Sequence, residues 1–205
     1  MKSPSNITLL PISPTNVTAK EYIIHQCLKI AKTANFPTDY NDMREHLFGN
    51  DDNKIIFAIN QQTLTIEGFA VYQILPSCQT LYLHGIVLHP KIQGLHVSTA
   101  MHILAISTCK MKYFSARTHN PRCFESVAGI HNLGFYPNGK SEEIPETIYE
   151  TVRKNPHTSE ADDFLIVRNA YPDEKIQQAC QNDATKKIFS YLNPYDAQVV
   201  IIQIA

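Results

Sequence analysis

The chain has 205 residues, of which 43% are hydrophobic and 18% charged, enough apolar material for one domain with an appendage. Its 18 Lys plus Arg against 19 Asp plus Glu leave a near-neutral balance, which argues against nucleic-acid binding and against attraction to a membrane surface. Five cysteines with no CxxC pair, no signal-peptide-like start and no apolar run of spanning length point to a reduced, cytoplasmic setting.

In chain order, residues 7–12 alternate as a short strand closed by Pro11 and Pro14. Thr18 can cap a helix through "AKEYIIHQCLKIAKTA", whose Ile23, Ile24, Cys27 and Ile30 keep helical spacing. "TDYNDMREHLF" reads as a second helix, stopped by the turn residues "GNDDN". Three strands follow at 54–60, 64–75 and 80–88, most simply as an antiparallel meander. After a turn at 89–94, a helix of about four turns runs from Val97 to near Lys110. "KYFSART" is a strand, and Asn120 with Pro121 opens a further helix expected to end at Gly134. The tail holds a helix in "PETIYETVRKN", a strand in "DFLIVRNAY" and helix over 173–192. A buried terminal strand follows in "AQVVIIQIA", apolar enough to join a sheet edge. The expected fold class is mixed α/β, with a mostly antiparallel central sheet flanked by helices and without the regular alternation of a doubly wound fold. Residues 1–170 are expected to form the main domain, and 171–205 a helical extension ending in a strand.

The stretch "LYLHGIVLHPKIQGLHVSTAMHILAIS" carries the chemistry. It runs strand, tight turn, helix N-terminus. The unpaired N–H groups of a helix N-terminus attract phosphate, and Gly94 lets a ligand approach the backbone closely. Gln93 can donate from its side chain. His84, His89 and His96 are spread along the stretch without metal-ligand spacing, and no Cys/His cluster exists, so no metal is expected.

Two segments resemble the GCN5-related N-acetyltransferase (GNAT) superfamily over roughly residues 6–140. "IVLHPKIQGLHVSTAMHIL" resembles its acyl-coenzyme A motif, and "NPRCFESVAGIHNLGFYPNG" its later Asn–helix–Gly-Phe motif. The resemblance implies a GNAT-like fold and an acetyl-CoA-dependent N-acetyltransferase, moving an acetyl group to a primary amine by direct attack in a ternary complex. It implies that the backbone of Ile86, Val87 and Leu88 pairs with the pantetheine arm. The amides of Gly94, Leu95, His96, Val97, Ser98 and Thr99 would hold the pyrophosphate, with Gln93 at the family's Arg/Gln position. Asn120 and Phe124 would lie beside the acyl-thioester end. His96 and Ser98 stand where the family has small residues.

The strand "LHGIVLH" is close to that of arylalkylamine N-acetyltransferases, where a histidine at this distance helps to carry a proton away. That places His84 as base or proton relay, with Tyr82 on the same strand face and Glu67 as the competing base. The family's acid position holds Ile130, with Cys123, His131 and Tyr136 as nearby substitutes. The implied partners are coenzyme A and a small amine or protein lysine, with no nucleic acid and no membrane, in a monomer or homodimer. Two alternatives stay open: a degenerate GNAT domain that binds coenzyme A or a protein without catalysis, and an acyltransferase for longer acyl groups.

Overall fold

The computed structural model describes residues 6–130, 134–138, 143–171, 180 and 182–204. Its strands are β1 (Ile7–Ile12), β2 (Asn53–Asn60), β3 (Ile66–Leu75), β4 (Thr80–Leu88), β5 (Tyr113–Thr118), β6 (Phe135–Tyr136), β7 (Ile166–Val167) and β8 (Ala197–Gln203). Its helices are α1 (Lys20–Thr33), α2 (Tyr40–Phe48), α3 (Val97–Thr108), α4 (Pro121–Ala128), α5 (Glu146–Lys154) and α6 (Asp183–Phe189). None of the described helices is long and apolar enough to cross a membrane. The chain forms two compact units, one of Met1–Ile74 with Leu83–Cys109, the other of Leu75–Tyr82 with Lys110–Ala205.

In the first unit the strands neighbour one another in the order β1-β2-β3-β4. β1 runs antiparallel to β2 with Ile7 opposite Asn60, and β2 antiparallel to β3 with Phe57 opposite Phe69. Alternate residues Ile55, Phe57, Phe69 and Val71 share one face by the period of two. That face buries Ile24, Cys27 and Ile30 of α1 and Met43 and Leu47 of α2. The α2 start is set by Asp39, whose carboxylate accepts the Asp42 N–H at 2.9 Å. Thr18 does not cap α1: the capping residue is Ala19, which offers no side-chain bond.

In the second unit the order is β5-β8-β6, with β7 also on β8. β8 is antiparallel to β5 on one side and to β6 and β7 on the other. The run "AQVVIIQ" is thus an interior strand rather than an addition to an edge, and Ala197 to Ile202 are buried. Ile148 and Val152 of α5 pack with Leu165, Val167, Val199 and Ile201. The buried Gln198 amide donates to the carbonyls of Leu165 at 2.8 Å and Phe164 at 3.1 Å, so its burial leaves no donor stranded.

Two further sequence expectations are corrected. α4 ends at Ala128 rather than Gly134, where the Gly129 N–H closes on the Glu125 carbonyl at 2.8 Å. "DFLIVRNAY" pairs over only Ile166–Val167. β6 was not foreseen. Of the helix expected over 173–192, the described residues show only α6, Asp183–Phe189; residues 173–179 and 181 lie outside the described residues, as does His131.

Candidate active site

The end of β4 leads into the expected turn. A short 3-10 turn spans Pro90–Ile92, with the His89 imidazole accepting the Lys91 N–H at 3.2 Å. The Gln93 side-chain amide donates to the Leu88 carbonyl at 2.9 Å, tying the turn back to the strand. Gly94 takes a φ of +75°, and a side chain there would meet nothing within 4 Å, so the backbone faces open space. His96 then adopts the left-handed region, at φ 59° and ψ 18°, directly before α3. Among larger residues histidine tolerates this region better than most, at a cost of about 1–2 kcal/mol.

The helical bond from the Ala100 N–H to the His96 carbonyl is 3.1 Å long. The amides of Val97, Ser98 and Thr99 precede it and so have no intrahelical acceptor. Leu95 and His96 are exposed, Ser98 is half-buried and Thr99 is buried. An open glycine, a left-handed residue and three leading helix amides leave unpaired N–H groups at one turn, the kind of arrangement that attracts anions.

His84 is exposed on β4, and the ring of His46 from α2 lies against it, with centroids 4.4 Å apart and planes tilted by 38°. Gly85 makes this possible: a β-carbon there would lie 2.5 Å from His46 Nε2. Burial, with the neighbouring His84 as the second influence, holds the His46 imidazole down to about 3, so it stays neutral at ordinary pH. Sequence reasoning missed His46. Nothing in "NDMREHLF" distinguishes it from any polar residue on a helix.

Glu67 on β3 meets a different histidine. Its carboxylate is 3.7 Å from His89 Nδ1 and accepts from the Thr65 hydroxyl at 3.4 Å, while its carbonyl accepts the His89 N–H at 2.7 Å. The two base candidates therefore have separate partners, His46 for His84 and His89 for Glu67. His102, expected to be structural, is fully buried in α3 and shares a 2.9 Å hydrogen bond with the Tyr72 hydroxyl.

In the second unit, Tyr82 is buried and stacks on His157 with centroids 4.4 Å apart and planes 7° from parallel; burial pushes its phenol well up. Asn120 caps α4, accepting the N–H groups of Arg122 at 2.9 Å and Cys123 at 3.4 Å. Phe124 is buried, edge-on to Phe135 and Phe189. Burial raises the Cys123 thiol to about 11, which leaves it a poor thiolate. Among the described residues, no three His, Cys, Asp or Glu come together to hold a metal ion.

No protein-family model matches the sequence, and no curated protein sequence matches it as a relative. Solved structures do. A protein assigned as a phosphinothricin N-acetyltransferase is similar at a TM-score of 0.56 and 10% identity, over 97% of this chain and 99% of that one. The ribosomal-protein-S18-alanine N-acetyltransferase of Escherichia coli is similar at 0.56 and 13%, over 97% of this chain and 95% of that one. The chain has the GNAT-type fold. Within that GNAT-type fold the phosphate-type turn and the His46–His84 pair both belong to the first unit, on β4 and the elements next to it.

Proposed function

We propose that the protein is an acetyl-CoA-dependent N-acetyltransferase acting on a primary amine, a small molecule or a protein lysine. The observation that carries this reading is the turn after β4. Its open Gly94, left-handed His96 and leading α3 amides suit the pyrophosphate of coenzyme A. The amides of residues 94–99 hold that group, and the backbone of Ile86, Val87 and Leu88 offers strand-like bonds to the pantetheine arm. Gln93 acts indirectly, since its amide already fixes the turn on Leu88.

Acetyl-CoA supplies the activated acyl group when bound. The chain's part is to handle protons. His84, exposed beside a neutral imidazole, takes the proton that the amine gives up. His46 holds the His84 ring and adds no competing positive charge. Glu67, paired with His89, is the second candidate for that role. For Tyr82, Asn120 and Phe124 we retain the roles implied by the family: a strand-face partner and two groups near the thioester end.

Acetyl-CoA titrated by calorimetry should bind in the micromolar range, roughly −8 kcal/mol. With an amine that turns over, His84→Ala should lower kcat by about a hundredfold or more and leave acetyl-CoA affinity unchanged. An unaffected kcat would sink the base assignment. His96 favours one other reading, a degenerate GNAT domain that binds coenzyme A or a protein partner without catalysis, because it is an exposed, larger residue in a turn where the family carries a small one. Failure of both acetyl-CoA and free coenzyme A to bind would select the protein-binding form of that reading.

A further inference from the structure

Among the described residues of the second unit, Arg117 is a cation without a paired acid. Arg117, near the end of β5, is half-buried, and its Nε is buried with no hydrogen-bond partner. Among the described residues no carboxylate pairs with it. Arg168 in the same unit shows the ordinary arrangement, held by Asp196 at 2.7 Å and Asp162 at 2.8 Å. A buried guanidinium N–H left without an acceptor is costly, which makes the Nε position a place where a bound acceptor would be favoured.

What surrounds Arg117 fixes it in place. Its Nη1 donates to the His157 carbonyl at 3.1 Å, and its guanidinium carbon lies 5.6 Å from the Tyr171 ring centroid. The Tyr171 hydroxyl donates back to the Arg117 carbonyl at 3.2 Å, and Tyr82 stacks on His157. One nitrogen and one face are therefore spoken for. The edge made by Nε and Nη2 remains, and two parallel N–H groups at that edge match the two oxygens of a carboxylate. A single cation flanked by aromatic rings suits a monoanion on a small organic body better than a phosphate dianion.

We propose that Arg117 anchors a carboxylate-binding subsite in the second unit, reached when a neighbouring side chain moves off the Nε edge. The carboxylate is that of a small organic acid.

Binding is read directly from the Arg117 Nε–H resonance in nitrogen-15 spectra, assigned by its loss in Arg117→Lys. The ligands are N-acetyl amino acids and their matched carboxamides. The expected result is a saturable shift with acids and none with amides. No shift with any acid, or an equal shift with amides, overturns the proposal.

Discussion

Two imidazoles, the half-buried His46 and the fully buried His102, shape how this protein responds to acid. Burial is the leading cause for each, and both are held down to about 3 from an ordinary 6.5. In the unfolded chain they take protons below 6.5, while the folded chain refuses them until near 3. The unfolded state binds more protons across that window, so stability falls as pH drops through it and is indifferent to these groups above it. Full linkage at one site is roughly 1.4 kcal/mol per pH unit. Urea midpoints measured between pH 7 and 4 should therefore fall steeply, and His102→Gln should flatten the curve by about one proton. An unchanged slope in that variant would mean His102 is protonated in the folded state. The Asp196 carboxyl works in the same direction. Burial alone would raise it, yet the N–H groups of Asn193 and Asn169 and the Arg168 guanidinium bring it below the usual carboxylate range. Its contribution is present above the unfolded carboxylate value and is lost only as pH falls through the folded one.

At the scale of elements, the turn between β4 and α3 is where side-chain choice and ligand binding meet. His96→Gly removes the left-handed penalty but adds freedom to the unfolded chain, so stability should change by less than about 1 kcal/mol. Coenzyme A affinity measured by calorimetry should hold or tighten, because the backbone amides stay in place and an exposed ring leaves the cradle. Weaker binding would show that the imidazole itself donates to the phosphate. Gly94→Val should lose affinity outright, since a β-branched residue resists a φ of +75°. The same elements show what the sequence made legible. Asn120-Pro121 named the start of α4 to the residue, because a cap and a proline at the first helical position are local chemistry. The bounds of β1 and β4 were equally readable from apolar runs ended by proline or turn residues. β6 and β7 were not, since two-residue strands carry no periodicity, and pairing with β8 alone defines them. Nor was the His46–His84 contact, which joins residues 38 positions apart through a gap left by Gly85.

Across the whole molecule, β8 is the strand on which the second unit depends. It has partners on both edges and apolar side chains buried from Val199 to Ile202. Ile201→Ala should cost about 2–5 kcal/mol, measured by chemical denaturation, with unchanged binding of acetyl-CoA at temperatures where the variant remains folded. A cost below 1 kcal/mol would mean that the packing around Ile201 collapses to fill the space. β8 also bears on synthesis. While a ribosome is still adding residues before 197, β6 and β7 have no strand to zip onto, β5 lacks its β8 partner, and the apolar face that α5 turns to β8 stays uncovered. A nascent chain in that state presents open sheet edges to proteases, chaperones and its own neighbours on the same message. The first unit, whose elements have all been made by residue 109, can meanwhile settle its own core.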